Sequence, residues 1–476
     1  MPATHANKRL PEFKVKLPEI PERQFYITDF GAVGDGTEIN TAAIEKAIAA
    51  CAAAGGGKVI IPPGIWLTGP IRLTSRLNLH AEAGATVVFT GNCHAYPLIT
   101  SCFEGEQMIR CQSPLDGENL EHVAITGDGV FDGSGEYWRP VKRFKLTVSQ
   151  WKKLVASGGT VDKEKEIWWP SENAMNGAEV YQNLRKNGAA RPEDFQSVKE
   201  YLRPNLLSLR KSKYILFDGP TFQNSPAWNL HPWLCEHITI RRISVRNPWF
   251  AQNGDGLDIE SCRYVTVEKS VFDVGDDAIC IKSGKNEAGR RLGVAAEDIL
   301  IRDCKVYSGH GGFVIGSEMS GGVRNIQVSD CDFYGTDTGL RFKSTRGRGG
   351  IVENIDIRRI RMHNISKEAI VFHMYYEIPE ATIENTPVPV TKETPVFRDI
   401  AISNVSCTAA GTALLMKGLP EMPLKGVTFD KLTLTAKKGV ICSQCKIMQF
   451  TKTRIFVKEG PAFTFQDCIN TSVSHI

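Results

Sequence analysis

Short segments in which apolar and polar residues alternate recur along most of the chain. Each copy reads apolar-x-apolar, two polar or turn-forming residues, then apolar-x-apolar, as in ITIRRISV from Ile238. Alternation with period two is typical of β-strands that bury one face. Because one copy alone cannot bury its apolar face, the repeat predicts a solenoid of stacked copies. Further copies begin at Val123, Ile215, Val265, Ile299, Ile326, Ile355, Ile400 and Val427.

From Ile215 onward the copies begin about 20 to 50 residues apart, and each holds two strands joined by a polar corner. This spacing predicts an all-β fold, namely a parallel β-helix. A β-propeller is the alternative, but its blades need four strands at nearly constant spacing. The spacing here is uneven and long hairpins within the copies are absent, so the β-helix is favoured.

The N-terminal part departs from the repeat. Residues Thr41 to Ala54 are rich in alanine and carry apolar residues at helical spacing, and a run of glycines follows. This pattern predicts a helix that covers the first coil, within a cap of about residues 25–65. We interpret residues 1–24 as a loose extension and residues 25–476 as one β-helix domain.

Residues 134–205 interrupt the repeat with four tryptophans among many charged residues. Insertions in repeat proteins map to loops on one face, which is often the binding face. Two interpretations stay open. The insertion either walls off one end of the binding surface or forms a packed side lobe with no role in binding.

The composition excludes some functions. The formal net charge of +4 is small for 476 residues, whereas a nucleic-acid-binding protein of this length is usually more basic. Long apolar segments that could cross a membrane are lacking, and the start does not resemble a signal peptide. We expect neither nucleic acid nor a membrane as partner. A secreted or periplasmic location is expected if the chain begins at a mature terminus, and a cytoplasmic one is the alternative.

The 13 cysteines cannot all form disulfides with one another, and several lie in strand patterns where free cysteine is a common core residue. Cys442 and Cys445 form a C-x-x-C motif. A second cysteine pair or a histidine cluster does not accompany it, so a structural role is favoured over metal or redox chemistry.

Polar residues follow the strands of four successive copies. Asp276 lies at the same distance from the start of its copy as His310 does in the next copy, and Asp277 is adjacent. Equal phase puts these side chains on one face, with coils about 4.8 Å apart. Polar residues are common in turns, which could explain each of these residues alone. It does not explain why they recur at the same position in successive copies. The same corner region, at a less regular phase, also holds Asp255, Arg341 and Lys343.

Three carboxylates beside a histidine suit glycoside hydrolysis. That reaction needs one protonated carboxyl for the leaving oxygen and one ionised carboxylate that activates water. Crowding raises the pKa of at least one carboxyl, so an acid can exist near neutral pH. Arg341 and Lys343 are expected to bind an anionic sugar. For the neighbouring cations Lys282, Arg346 and Arg348, ordinary solvated charges are the favoured interpretation.

At these residues the sequence resembles glycoside hydrolase family 28, the polygalacturonases and their relatives, and most of all their exo-acting bacterial members. The family's tyrosine corresponds to Tyr376, and the likeness covers about residues 24–450. Gly254 and Ala278 stand where the family often has threonine and cysteine, and neither change removes a catalytic group. The matching motifs are Asn253-Gly254-Asp255, Asp276-Asp277, Gly309-His310-Gly311 and Arg341-Phe342-Lys343.

The resemblance implies a right-handed β-helix and an inverting hydrolase, without metal or cofactor, that cleaves α-linked galacturonate bonds in pectin. It makes Asp276 the general acid, and it makes Asp255 and Asp277 the residues that hold and deprotonate water. His310 would tune the proton of the acid. The residues implied in substrate binding are Asn253, Arg341, Lys343 and Tyr376. The expected partner is an acidic polysaccharide or oligosaccharide, and the expected state is a monomer.

Exo action is expected if residues 134–205 wall off one end of the binding surface. The alternatives are a rhamnogalacturonan- or xylogalacturonan-directed hydrolase, a lyase similar to pectate lyases, and a non-catalytic sugar-binding β-helix. The complete motif set favours cleavage next to galacturonate. A lyase of that kind commonly needs Ca²⁺, and the sequence lacks an acidic cluster that clearly demands it. Retention of all three aspartates argues against a non-catalytic protein.

Overall fold

The computed structural model describes residues 13–474, and most of them form one solenoid of parallel β-strands. A continuous sheet of 30 strands winds through three faces. Each strand pairs with its counterparts in the coils before and after it, as Val265 pairs with Ile238 and with Ile299. The predicted parallel β-helix is therefore confirmed, and the repeat copies lie one above another.

The strands follow the three faces in turn. The first face contains Gln24–Tyr26, Gly57–Ile61, Leu77–Ala81, Glu121–Thr126, Lys213–Asp218, Glu236–Arg241, Arg263–Glu268 and Ala296–Arg302. The second contains Gly64–Thr68, Ala85–Phe89, Val130–Asp132, Thr221–Gln223, Ser244–Arg246, Val271–Asp273, Lys305–Ser308 and Arg454–Val457. The third contains Ile71–Arg72, Leu115–Glu118, Leu207–Arg210, Leu230–Trp233, Leu257–Glu260, Asp277–Lys282, Gly311–Ile315, Thr338–Lys343 and Glu368–His373. Longer strands that turn a corner between faces are Val323–Tyr334, Ile351–His363, Val396–Lys417, Leu424–Thr451 and Phe463–Ser474.

Helix α1 (Thr41–Ala53) covers the first coil, as the sequence predicts. Its buried side chains join the apolar core that runs through the solenoid, and they are Ile44, Ala47, Ile48 and Cys51. Burying an aliphatic side chain of this kind stabilises a fold by about 1.5–3 kcal/mol, so the cap protects an otherwise wet end of the core.

Residues 13–23 run in extended form along one corner of the solenoid and do not stand free. That corner is a stack of rings with centroids 4.7–5.3 Å apart, formed by His122, Tyr214, His237 and Tyr264. The backbone amides of Lys16 and Glu19 donate hydrogen bonds to the Nδ1 atoms of two of these rings, at 3.3 and 3.0 Å. The N-terminal extension was expected to be loose, but residues 13–23 are attached to the solenoid by these hydrogen bonds. Its first part, residues 1–12, lies outside the described residues.

The insertion, residues 134–205, folds as a lobe beside the solenoid. The lobe packs against a β-hairpin that the sequence patterns did not predict. Its two strands are Leu98–Phe103 and Glu106–Cys111. The lobe's own elements are Val141–Lys142, α2 (Val148–Ala156), Thr160–Asp162, Ile167–Trp169, α3 (Glu172–Lys186) and the 3-10 helix Pro192–Tyr201. The hairpin and the lobe share an apolar core that includes Leu98, Ile109, Trp138, Tyr181 and Phe195. The insertion is therefore a packed lobe with its own core.

A fourth helix, α4 (Asn286–Leu292), follows the third-face strand Asp277–Lys282.

All 13 cysteines lie within the described residues, and all are free thiols. Cys442 and Cys445 are each 1% exposed and belong to the core of the solenoid, which agrees with a structural role. Over the same described residues, we find no helix that is both long and apolar enough to cross a membrane.

Truncation of Phe342 to alanine is expected to lower the free energy of unfolding by about 3–5 kcal/mol. The ring is fully buried and stacks on Phe372 with centroids 4.1 Å apart, so truncation leaves a cavity inside the coil. Thermal and urea unfolding measure the change. The control is Phe144→Ala, because Phe144 is 79% exposed and its loss should change stability little. Equal stability of the two variants would contradict close packing at Phe342.

Candidate active site

Two of the predicted aspartates and the histidine meet at the edge where the strands of the third face begin. Asp277 is the first residue of its strand and pairs with Gly311 in the next coil. Asp276 therefore lies beside His310, as the equal repeat phase predicts. The backbone amide of His310 donates to the carbonyl oxygen of Asp276 at 2.9 Å, which fixes the two coils in this register.

Asp255 lies in the same row, although its distance from the start of its repeat is irregular. Leu257 pairs with Ile279, so Asp255 is placed beside Asp277. The irregular distance comes from a long corner, residues 247–256, that precedes the strand. Counting residues from the start of the repeat copy includes this long corner. The count therefore does not give the position of Asp255 relative to the next coil.

All eight predicted site residues line one cavity of about 470 Å³, which we call the closed cavity. Tyr376 completes it, because the Nζ atom of Lys343 lies 4.8 Å from its ring centroid and the guanidinium carbon of Arg341 lies 5.7 Å from it. The eight residues are Asn253, Asp255, Asp276, Asp277, His310, Arg341, Lys343 and Tyr376.

Asp277 is held by two cations. Lys343 Nζ lies 2.7 Å from one carboxylate oxygen and Arg341 Nη1 lies 3.2 Å from the other. The side chain is 1% exposed. Burial alone would raise the pKa of Asp277, but Lys343 and Arg341 outweigh burial and hold the pKa below its ordinary value. Asp277 is therefore ionised across the pH range of most enzymes.

Asp276 forms a pair with His310. Nδ1 of His310 lies 3.1 Å from Oδ1 of Asp276, and the two side chains are 36% and 19% exposed. Burial again favours the neutral acid, but the hydrogen bond and the charge of His310 hold the pKa of Asp276 below its ordinary value. The hydrogen bond to His310 therefore stabilises the carboxylate form of Asp276.

Asp255 has the opposite environment. It is 3% exposed, and its Oδ1 atom has no hydrogen-bond partner among residues 13–474. Burial, and then the neighbouring carboxyls Asp258 and Asp276, raise the pKa of Asp255 well above its ordinary value. The pKa values of Asp255 and Asp276 are therefore shifted in opposite directions.

The three aspartates each bring one carboxylate oxygen within 4.8 Å of the others. Such a group can hold a divalent cation or a water molecule. Asp277 already uses both of its oxygens on two cationic side chains, and Asp276 uses one on an imidazole. A metal ion would compete with these cations, so the arrangement suits a held water better than a dedicated metal site.

Several residues in and around the closed cavity were missed or misinterpreted in the sequence analysis. Lys282 and Arg348, interpreted as solvated charges, are only 4% and 5% exposed, so that interpretation is wrong for both. Arg346 retains some exposure and pairs with Glu421 at 2.8 Å. Lys282 is the last residue of the strand Asp277–Lys282, directly after the aspartate motif, and this proximity in sequence is the signal that could have identified it. The other lining residues are Glu104, Lys142, Trp228, Gln252, Lys285, Glu318 and Glu377.

The hairpin and the insertion wall the closed cavity at the side of the N-terminal coils. Glu104 lies at the hairpin tip, with its carboxylate 3.6 Å from Lys285 Nζ. Next to it, Gly105 has a φ of +74°, and a Cβ atom there would lie 2.4 Å from the backbone nitrogen of Lys285. The tip of the hairpin is fixed because Phe103, next to Glu104, stacks on Trp228 with centroids 4.4 Å apart. The insertion adds Lys142, so it is both a packed lobe and part of the wall.

A second cavity of about 340 Å³ adjoins the first on the side of the C-terminal coils, and we call it the open cavity. The two cavities share His310, Arg341, Lys343, Tyr376 and Glu377. Lys367, His373 and Lys417 line only the open cavity, whereas the three aspartates line only the closed one. A sugar chain that spans both would therefore cross the shared residues.

Comparison with known proteins identifies two regions of similarity to described families. Residues 140–454 match the family described as "Glycosyl hydrolases family 28". Residues 24–134 match the description "Rhamnogalacturonase A/epimerase, pectate lyase-like". The first match contains every predicted site residue, and the second contains the cap and the first coils.

Individual relatives match over most of the chain. A probable polygalacturonase of Vitis vinifera is 27% identical over 417 residues, which is 86% of this chain and 73% of that protein. The exo-poly-alpha-D-galacturonosidase of Dickeya chrysanthemi is 26% identical over 390 residues, which is 80% of this chain and 61% of that protein. The crystal structure of a hyperthermoactive exopolygalacturonase from Thermotoga maritima is similar with a TM-score of 0.76 and 32% identity, and the match covers 93% of this chain and 94% of that one.

Proposed function

Because the chain belongs to glycosyl hydrolases family 28, we propose that it hydrolyses α-linked galacturonate bonds in pectin and acts from a chain end. The observation that supports this proposal is the row of three aspartates beside Arg341 and Lys343, where the closed and open cavities meet. Carboxyl groups provide the acid and the base of glycoside hydrolysis. The two cations favour a sugar that carries a carboxylate.

The acid of the reaction is the pair of Asp276 and His310. The leaving oxygen must receive a proton as its bond to the anomeric carbon breaks. The single proton of the pair can pass from Nδ1 of His310, 3.1 Å away, to Asp276 and from Asp276 to the leaving oxygen. The low pKa of Asp276 is compatible with this role because the pair holds one proton between its two members.

The base is Asp255, with Asp277 as the second holder of the water. Both oxygens of Asp277 already receive hydrogen bonds from Arg341 and Lys343, which makes this carboxylate a weak base. Burial and the neighbouring Asp258 raise the pKa of Asp255, so its ionised form is the stronger base. A water between the two carboxylates gives one proton to Asp255, and its oxygen bonds to the anomeric carbon with inversion.

Action from a chain end follows from the wall of the closed cavity. The attacked sugar must lie in the closed cavity, because the three aspartates line only that side. The hairpin tip at Glu104 and Gly105 blocks the chain beyond that sugar. The attacked sugar is then the terminal, non-reducing one, and the rest of the chain extends through the open cavity.

Hydrolysis of polygalacturonate is expected to release monogalacturonate from the first minutes, without a phase of mixed oligomers. Chromatography of the products measures this, and NMR of the new anomeric centre should show the β-anomer first because the reaction inverts an α-linkage. Early oligomers of mixed length would contradict a closed end. Absorbance from an unsaturated product, lost on chelation, would instead indicate a lyase.

The remaining proposals concern the surroundings of the enzyme. We propose a secreted or periplasmic location, where pectin would be accessible, and a monomer in solution. Cell fractionation and sedimentation velocity measure these two properties.

A further inference from the structure

A buried ion pair lines the closed cavity together with the three catalytic aspartates. Lys282 Nζ lies 2.9 Å from Glu318 Oε2, and the two side chains are 5% and 10% exposed. Lys282 also lies 4.8 Å above the ring of Trp228. Both charged residues border the cavity, so their polar atoms can meet a sugar.

The pair is held in place by a second layer of contacts. The hydroxyl of Ser317 donates to Glu318 Oε1 at 3.0 Å, and Arg348 Nη2 donates to that hydroxyl at 3.3 Å. Arg348 is itself 5% exposed and donates to the side-chain oxygen of Asn286 at 2.6 Å. Such support is expected where a binding group must keep one orientation.

Burying an ion pair costs desolvation energy that its own attraction offsets only in part. An apolar pair of similar volume would stabilise the fold at least as well, so stability alone does not account for this one. The pair has no net charge, and it offers N–H donors and carboxylate acceptors side by side. Neighbouring hydroxyl groups of a sugar need that combination, since each hydroxyl both donates and accepts.

We propose that Lys282 and Glu318 bind the hydroxyls on C2 and C3 of the terminal sugar and thereby select an unsubstituted sugar ring. This inference rests on the proposed function, which puts the terminal galacturonate in the closed cavity. Arg341 and Lys343 border both cavities and attract the carboxylate on C5, whereas Lys282 and Glu318 border only the closed cavity. The ring edge that faces the pair is therefore the opposite one, which carries the C2 and C3 hydroxyls.

The test uses binding and does not depend on turnover. Calorimetry measures the affinity of the wild type and of Glu318→Ala for galacturonate and for its 2-O-methyl and 3-O-methyl ethers. A hydrogen bond to a charged group corresponds to a change of about 10–100-fold in affinity. The wild type should bind at least one methyl ether about 10–100-fold more weakly than galacturonate, and Glu318→Ala should bind the two with similar affinity.

Glu318→Ala is expected to fold, because Lys282 keeps the carboxyl group of Asp258 at 3.7 Å as a polar neighbour. The matched control is Asp116→Asn, which removes one partner of the buried pair Arg210–Asp116 outside both cavities. This control should keep the wild-type preference for galacturonate over its ethers.

The inference is overturned if Glu318→Ala retains the wild-type preference, or if Asp116→Asn loses it to the same degree. Failure of the proposed function has a different signature. In that case the wild type would not cleave polygalacturonate, whatever the affinities for the monomers.

Discussion

Replacement of Asp276 by asparagine is expected to lower kcat on polygalacturonate by about 10²–10⁴-fold, because the leaving oxygen loses its proton donor. Affinity for oligogalacturonates should change little. Asparagine has nearly the same shape, and the cations Arg341 and Lys343 keep their contacts with Asp277. Steady-state kinetics measures kcat, and calorimetry on trigalacturonate measures affinity.

The control for this prediction is Asp330→Asn. Asp330 is paired with Arg359 at 2.6 Å at a corner away from both cavities, and its side chain is 34% exposed. That variant should hydrolyse polygalacturonate like the wild type. Normal turnover by Asp276→Asn would exclude Asp276 as the proton donor, and loss of affinity together with turnover would indicate a structural role instead.

Replacement of Asp277 by asparagine is expected to lower the free energy of unfolding by about 3–5 kcal/mol at neutral pH. The change leaves the buried Lys343, which is only 6% exposed, and the half-buried Arg341 next to a neutral amide. Urea unfolding at several pH values measures the loss. The control is Asp332→Asn, because the partner of Asp332, Arg361, is 53% exposed and such pairs contribute at most about 1 kcal/mol.

The loss should depend on pH in a defined direction. Burial favours the neutral acid, but Lys343 and Arg341 hold the pKa of Asp277 below its ordinary value in the folded protein. The carboxylate therefore contributes its full stabilisation above the unfolded pKa of about 4, and this contribution declines as pH falls toward the folded pKa. The difference between the wild type and Asp277→Asn should shrink below about pH 4. A difference that grows on acidification would contradict this electrostatic account.

The opposite pKa shifts of Asp255 and Asp277 have a consequence for the reaction. Lys343 and Arg341 lower the pKa of Asp277, whereas burial beside Asp258 raises that of Asp255. Two carboxylates in one row therefore differ in basicity, so one can take a proton from water while the other stays charged. Pairs of groups with pKa values pushed apart commonly mark acid–base roles.

The sequence by itself determined the features that depend on local periodicity. Strands with period two and a helix with apolar residues at three- and four-residue spacing follow from which side chains must be buried. The stack of repeats then puts Asp276 beside His310, because residues at equal phase in successive coils must be neighbours. Helix α1 ends at Ala53, one residue before the predicted end at Ala54.

Only the tertiary structure decided the features that depend on contacts between distant parts of the chain. The register of Asp255 follows from the pairing of Leu257 with Ile279, and a repeat count that includes a long corner does not contain that information. The wall depends on the contact of Gly105 with Lys285, residues far apart in sequence. Lys282 resembles any solvated lysine until the hairpin and Trp228 cover it. Burial of a charged side chain is set by whichever segment covers it, and no local pattern records that segment.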